Sequence, residues 1–230
     1  MAYEYEVVFL KGMAFEKMGQ KGRALATYSS IPASPTSYFG GLATERIAAL
    51  GGNAVYRRSS MKRQSKRMAG KFPVLYKREL LRYSKSRGID PRFVLAIMKQ
   101  ESAFRARAKS PAAARGLLQL TYDTALKYNR KAGFMNIKGT DLYRPTVNIA
   151  IGSVYIAELK NEFGGLYEAI AASYNGGEDN AARWLAKSKP RDPAIFASEV
   201  GFSETKKYVF KVMGNYNVYK DLYTDNLTRK

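Results

Sequence analysis

Glu101 is a carboxylate set where an acid is out of place. It lies seven residues after Val94, on the helical face that Val94, Ile97, Met98 and Phe104 define. An ionised carboxylate aimed at such a face is costly unless it is paired or protonated. Desolvation beside Met98 and Phe104 should raise its pKa and keep it protonated at neutral pH, able to hand a proton to a leaving oxygen. The alternative is a plain helix glutamate that reaches the surface or pairs with Arg105, four residues on in the favourable order. Spacing alone leaves both open. Composition narrows the rest: the 230 residues include no Cys and no His. That excludes nucleophiles and general bases of those types, and zinc centres built on them. Carboxylates, Tyr, Lys, Ser and Thr are the chemistry that remains.

The elements that must hold Glu101 read as helices. Asp90 is a cap and Pro91 suits the first helical position, so a helix is expected over 91–105. Further helices are expected over 73–87, 121–131, 145–163, 166–174, 178–188 and 203–222. Gly164-Gly165, Gly176-Gly177 and Gly201 serve as caps or turns between them. No stretch sustains a period-two alternation, so the fold class is all-α, with at most a short β-hairpin in the Lys109–Leu118 region.

The chain before this block is also helical. Residues 4–18 carry an apolar stripe of Val7, Val8, Leu10, Met13, Ala14 and Met18, ended by Gly19. Lys21–Tyr28 starts a second helix, and a third runs from about Ser37 to Leu50 before Gly51-Gly52. The stretch FEKMGQKGRALATYSSI is similar to one tetratricopeptide-like helical hairpin. A single such unit cannot bury its own face. Residues 1–70 are therefore read as a helical hairpin and linker, the last of a truncated solenoid or a prop on the main domain, and residues 71–230 as that domain. The boundary falls at Gly70–Pro73. A start inside a helix, without a basic-then-apolar leader, suggests a fragment of a longer precursor.

Charge points to the partner. With 39 Lys and Arg against 19 Asp and Glu, the net charge is +20, which implies an anionic partner: nucleic acid, a membrane surface or an acidic polymer such as cell-wall glycan. No acid stands between Glu45 and Glu79, while Arg57, Arg58, Lys62, Arg63, Lys66, Arg67 and Lys71 accumulate. Such a run without interleaved aromatics is more often a solvated face than an anion site. No apolar stretch approaches the roughly 18 residues of a membrane helix. Single Trp184, on a helix with Ala181 and Leu185, is weighed as core rather than a sugar platform, and the late aromatics Tyr208, Phe210, Tyr216, Tyr219 and Tyr223 mostly as packing.

Four motifs, in order, carry a resemblance. Glu101-Ser102, Lys109-Ser110-Pro111 and Gly116-Leu117-Leu118-Gln119 look like the ES…SP…GLMQ signature of the soluble lytic murein transglycosylases. Pro145, Asn148, Ile149, Gly152 and Tyr155 match its P-x-x-N-I-x-x-G-x-x-Y segment. Ser173-Tyr174-Asn175-Gly176-Gly177 resembles A-Y-N-x-G. Glu199 with Phe202-Ser203-Glu204-Thr205 and Tyr208-Val209 is similar to E-x-x-F-x-E-T-x-x-Y-V. The resemblance covers residues 72 to about 223. It implies a lysozyme-like fold, with the hairpin and linker similar to the end of the family's ring-shaped helical superdomain.

It also implies cleavage of the MurNAc–GlcNAc bond of peptidoglycan by one carboxyl group, Glu101, acting as acid and then base to leave a 1,6-anhydroMurNAc end. Retaining glycosidases ordinarily pair two carboxylates about 5 Å apart, and nothing in the sequence places a second acid beside Glu101. By the same resemblance Ser102, Ser110, Gln119, Tyr174, Asn175 and Glu199 are expected to bind substrate, with Tyr174 able to aim its hydroxyl at Glu101. No metal and no cofactor are expected. Glycan strands of peptidoglycan, and anionic envelope polymers beside them, are the expected partners; nucleic acid is not expected. A monomer in the periplasm or cell envelope completes the expectation. The chain departs from the pattern at Leu118 and Thr121, where Met is common, and at Ala113, Arg115 and Arg144. Arg115 is expected to set a bulky cation near the cleft. Two other readings compete: a non-enzymatic basic helical module for murein or nucleic acid, and an inactive murein-binding relative.

Overall fold

The computed structural model describes residues 2–230. Among them twelve α-helices form, joined by loops and short 3-10 turns, and no strand forms. The organising element is α6 (Pro91–Ser102). Asp90 caps it by accepting from the Arg92 amide at 2.9 Å, and Pro91 takes the first position, where its missing N–H costs nothing. Every residue from Phe93 to Met98 is wholly buried. The helix therefore has no solvent side there, and the apolar face expected from spacing is its whole circumference. It also ends three residues early. Ala103 and Phe104 adopt left-handed φ angles of 48° and 64°, which turn the chain out after Ser102 and leave Glu101 in the last helical turn.

The same body holds α5 (Lys77–Tyr83), α7 (Tyr122–Tyr128), α8 (Pro145–Glu162), α9 (Tyr167–Gly176), α10 (Glu178–Lys187), α11 (Pro193–Glu199) and α12 (Ser203–Leu222); α5 and α12 contact α6 directly, and Phe93 meets Tyr167 of α9. Helix α12 lies along α6 and is buried over most of its length. The helix expected over 73–87 is shorter, because Tyr76 sits at a left-handed φ of 55° and delays its start. Helix α11 was not anticipated, although it opens with the same signal as α6: Asp192 accepts from the Ala194 amide at 2.8 Å ahead of Pro193. In place of a hairpin, the 109–120 loop holds only the isolated bridges Lys109 to Arg115 and Arg115 to Leu120. Trp184 is buried, edge-to-face with Phe202.

The first helices, α1 (Ala2–Lys17), α2 (Lys21–Ser29), α3 (Tyr38–Ala49) and α4 (Val55–Arg67), dock on this body. The apolar stripe expected on α1 is displaced. Val7 is 67% and Met18 63% exposed, while Phe9, Met13 and Glu6 face inward. Glu6 can lie there because Lys206 of α12 pairs with it at 2.9 Å, as a buried carboxylate requires. Tyr38 stacks on Phe210 with centroids 5.3 Å apart, a contact worth about 0.5–1.5 kcal/mol beyond its buried area. At Gly214 the backbone of α12 passes so near Thr36 that a Cβ would stand 2.2 Å from the Thr36 carbonyl oxygen. Arg46 reaches Asp192 at 2.5 Å and Ser65 donates to Asp221 at 2.7 Å. One buried apolar cluster runs from Phe9 to Leu227 across both segments. The basic run forms α4: Arg57 is tied to the Ile31 carbonyl at 2.7 Å, Met61 and Ser65 face inward, and the remaining cations face solvent.

Candidate active site

Glu101 opens into a cavity of about 620 Å³ whose other walls are Arg105, Arg107, Ala108, Lys109, Ser110 and Gln119. One carboxylate oxygen accepts a hydrogen bond from the Tyr208 hydroxyl at 2.5 Å. Burial pushes the Glu101 carboxyl up to about 6, and the Tyr208 bond opposes that by favouring the anion. Burial also raises Tyr208, as does the nearby Glu101 charge, so this hydroxyl stays a donor at any physiological pH. Arg105 does not neutralise Glu101. Its guanidinium Nε donates to the Ser102 carbonyl at 3.2 Å. Among the described residues Glu101 is the only carboxylate lining the cavity, and a lone carboxyl group that titrates near 6 can serve as acid and as base within one pH range.

The opposite wall is fixed by a loop that tolerates little change. Gly116 has φ +81°, and a Cβ there would lie 2.2 Å from the Leu142 carbonyl oxygen and 2.3 Å from Asn148 Nδ2. Wholly buried Asn148 spends its side chain on this loop. Its Oδ1 accepts from the Leu118 amide at 2.8 Å, and its Nδ2 donates to the Arg115 and Leu142 carbonyls, both at 2.9 Å. Leu118 packs so tightly on α8 that a Cβ at Gly152 would stand 2.4 Å from its Cδ1. Two residues of the P-x-x-N-I-x-x-G segment, Asn148 and Gly152, therefore seat Leu118 and, next to it, Gln119.

Two expected substrate residues line the cavity. Ser110 does, with its hydroxyl oxygen accepting from the Ala114 amide at 3.1 Å. Gln119 does so from a left-handed φ of 46°, and its Nε2 is spent on the Gly116 and Ala108 carbonyls, which leaves Oε1 for a ligand. The other four sit elsewhere. Ser102 is 1% exposed beneath the cleft, its hydroxyl shared by the Met98 and Leu117 carbonyls; one residue around the helix from Glu101, it faces the core. Tyr174 donates to the Leu118 carbonyl at 2.7 Å and not to Glu101. Asn175, outside the cavity lining, accepts from Thr205 Oγ1 at 2.7 Å and so fixes α12 one turn before Tyr208. Glu199 is half-buried at the end of α11 and also outside that lining. Arg115 turns its guanidinium toward Gly139, away from the cavity.

The tyrosine at the carboxylate is Tyr208, which sequence reasoning had set among the packing aromatics. Its place in the Y-V pair of the last motif was the available signal. Also unanticipated was the charge of the rim: Arg105, Arg107 and Lys109 are exposed, and none is in ion-pair reach of a carboxylate among the described residues.

The family model "Transglycosylase SLT domain" matches residues 80–196, half of the chain and all of the segment that carries Glu101, the Gly116–Gln119 loop and Asn175. The chain belongs to the SLT transglycosylase domain family. Among its relatives are the soluble lytic murein transglycosylases of Salmonella typhimurium, 33% identical over 151 residues, and of Escherichia coli K12, 33% identical over 154 residues. Each alignment covers 65% of this chain but 23% of the relative, so this SLT chain spans about a quarter of their length. An inactive Glu-to-Gln mutant of the lytic transglycosylase Slt from Pseudomonas aeruginosa superposes with a TM-score of 0.61 at 25% identity, over 89% of this chain and 34% of that one. The 70-kDa soluble lytic transglycosylase of Escherichia coli gives 0.75 at 20% identity, over 98% and 47%. At that identity the second match speaks for the fold, which is the all-α, lysozyme-like architecture expected from the motifs.

Proposed function

We propose that this SLT domain is a peptidoglycan lytic transglycosylase in which Glu101 is the single general acid and base. The observation that carries the reading is a lone carboxyl group, raised by burial to about 6 and held by Tyr208, as the only acid among the described residues that line a cavity of glycan size. Protonated Glu101 gives its proton to the glycosidic oxygen as the C1–O bond breaks, releasing the GlcNAc 4-hydroxyl. The carbonyl oxygen of the substrate's own 2-acetamido group supports the positive C1, the task a second carboxylate performs in ordinary retaining enzymes. Glu101, now a carboxylate, takes the proton of the MurNAc 6-hydroxyl while that oxygen bonds to C1. The product is a 1,6-anhydroMurNAc end; Glu101 is again protonated and no water is consumed.

Tyr208 holds the carboxylate in position and stabilises it between the two proton transfers, since its bond favours the anion. Gln119 Oε1 and the Ser110 hydroxyl are the polar groups offered to acetamido or hydroxyl groups of the sugar. Ser102, Tyr174 and Asn175 act at one remove, through Leu117, Leu118 and Thr205. Such a reaction belongs in the cell envelope, where murein lies. The named relatives are lytic murein transglycosylases, which agrees with this reading. The test is turnover of purified sacculi by wild type and by Glu101→Gln. Loss of at least about a thousandfold in kcat, in a folded variant, is expected for removal of the acid and base; a variant within tenfold of wild type assigns the proton transfers elsewhere.

A further inference from the structure

Helix α12 meets α6 with one face and the N-terminal helices with the opposite one. Toward α6 it offers Tyr208, which donates to Glu101, and, two turns on, Tyr216, which donates to the Asp90 cap at 2.8 Å and meets Phe93 with ring centroids 5.5 Å apart. Helix α6 is thus tied to α12 near both of its ends. About 200° around the helix from Tyr208 lies Lys206, which begins a second ridge in steps of four: Lys206, Phe210 and Gly214. All three meet the N-terminal segment. Lys206 Nζ pairs with Glu6 of α1 at 2.9 Å. Phe210 stacks on Tyr38 and stands edge-on to Phe39, with centroids 5.3 and 5.1 Å away. The Gly214 backbone passes against Thr36.

The start of α12 needs such support. No side chain caps it at Phe202, and Tyr208 lies within its second turn. Two side chains of the first turn hold it from outside. Thr205 donates to Asn175 at 2.7 Å, and Lys206 donates to Glu6 and to the Ser198 carbonyl at 3.0 Å. A cation in a first turn opposes the helix dipole, so the place of Lys206 is set by its partner. The pair is largely closed to solvent, with side chains 13% and 9% exposed, and either charge would be costly there alone.

We infer that α1–α4 brace α12 and so set the Tyr208–Glu101 hydrogen bond, with Glu6 and Lys206 as positioning residues. Loss of the pair lets the first turns of α12 move away from α6 and withdraws Tyr208 from the carboxylate. That this bond governs turnover rests on the lytic reading above; the brace itself does not. The titratable and charged groups around Glu101 are the hydroxyls of Tyr208 on α12 and Tyr174 on α9, with Tyr155 of α8 beside the latter, and the cavity cations Arg105, Arg107 and Lys109. Substitution of Glu6 changes none of them. A direct field effect has the opposite sign: removing the Glu6 anion favours ionisation of Glu101, whereas a weakened Tyr208 bond disfavours it.

Titration of the Glu101 carboxyl by 13C NMR in the glutamate-labelled full chain tests the brace, the resonance being assigned by its loss in Glu101→Gln. Glu6→Gln keeps the side-chain shape and an acceptor for Lys206. It should raise Glu101 above its value of about 6, by about half of the rise that Tyr208→Phe causes. In the Tyr208→Phe background it should cause no further rise. On sacculi, kcat should fall about three- to tenfold with KM unchanged. A lowered Tm with Glu101 unmoved or shifted down, or an equal rise in the Tyr208→Phe background, would overturn the brace. Should Glu6→Gln fail to fold, Tyr38→Leu, which removes the ring from Phe210 and alters no charge, is judged by the same criteria. A raised Glu101 in a protein that makes no 1,6-anhydro ends removes the lytic reading alone; anhydro ends from a variant whose Glu101 has not moved remove the brace alone.

Discussion

Replacing Glu101 by Gln should make the protein more stable, and only above a definite pH. In the fold this carboxyl titrates at about 6 against an ordinary 4.5, because burial disfavours its charge. The unfolded chain releases the proton first as pH rises. The folded state thus carries no penalty below pH 4.5, accumulates one between 4.5 and 6, and carries it in full above 6. A shift of that size corresponds to about 2 kcal/mol. Gln keeps a neutral group of the same shape and can still accept from Tyr208 Oη, so the variant escapes the penalty and loses little packing. Chemical denaturation of both proteins should give equal stability at pH 4 and an advantage to Glu101→Gln of about 2 kcal/mol at pH 7.5. For a chain of this length that is a rise in Tm of about 4–8 °C. A difference that is independent of pH, or a Gln variant less stable at pH 7.5, would refute the argument that burial governs Glu101.

Other consequences follow from neighbouring contacts. Tyr208→Phe removes the bond that lowers the Glu101 pKa, so the alkaline limb of the kcat profile should move to higher pH while kcat drops about 10–100-fold, the range for a hydrogen bond to a charged group; an unmoved limb contradicts the assignment. Gly116→Ala forces a side chain into a left-handed position already filled by the Leu142 carbonyl and Asn148. It should cost about 2 kcal/mol or more in denaturation experiments and abolish turnover along with Gln119's placement. Arg107→Glu with Lys109→Glu reverses the unpaired rim of the cavity. Sacculus binding should weaken and lose much of its dependence on NaCl in pelleting assays.

The chain showed its chemistry more readily than its contacts. Glu101 and its helix start were legible because Asp90-Pro91 and the apolar spacing are local signals, and Gly116 because its motif is contiguous. Where the reading rested on local pattern alone it overran. Ala103 and Phe104 look like helix formers, and only the left-handed turn that carries the chain into the Arg105–Ser110 rim stops α6 at Ser102. The stripe on α1 failed for the opposite reason. Val7 and Met18 are apolar, but Glu6 takes the inner face because Lys206, 200 residues on, neutralises it.

Tyr208 and Tyr174 show the limit most plainly. Both are half or more buried and both stand in motifs, yet which hydroxyl meets Glu101 depends on how α12 lies along α6. In sequence, Tyr208 is one of several aromatics at helical spacing with Tyr216 and Tyr219, which pack on Phe93 and Phe72 respectively. Nothing local separates the one that touches the acid, 107 residues away. Ser102 erred by proximity: adjacent in sequence to Glu101, it points about 100° around the helix, into the core.

The central claim is that Glu101 acts twice on the substrate and that water takes no part. Digestion of purified sacculi in H2-18O, followed by mass spectrometry of the released muropeptides, reads this directly. The expected products are 1,6-anhydroMurNAc ends, lighter than reducing ends by one water and free of 18O, produced by wild type and not by Glu101→Gln. Reducing MurNAc ends carrying one 18O would contradict it and make the protein a hydrolase.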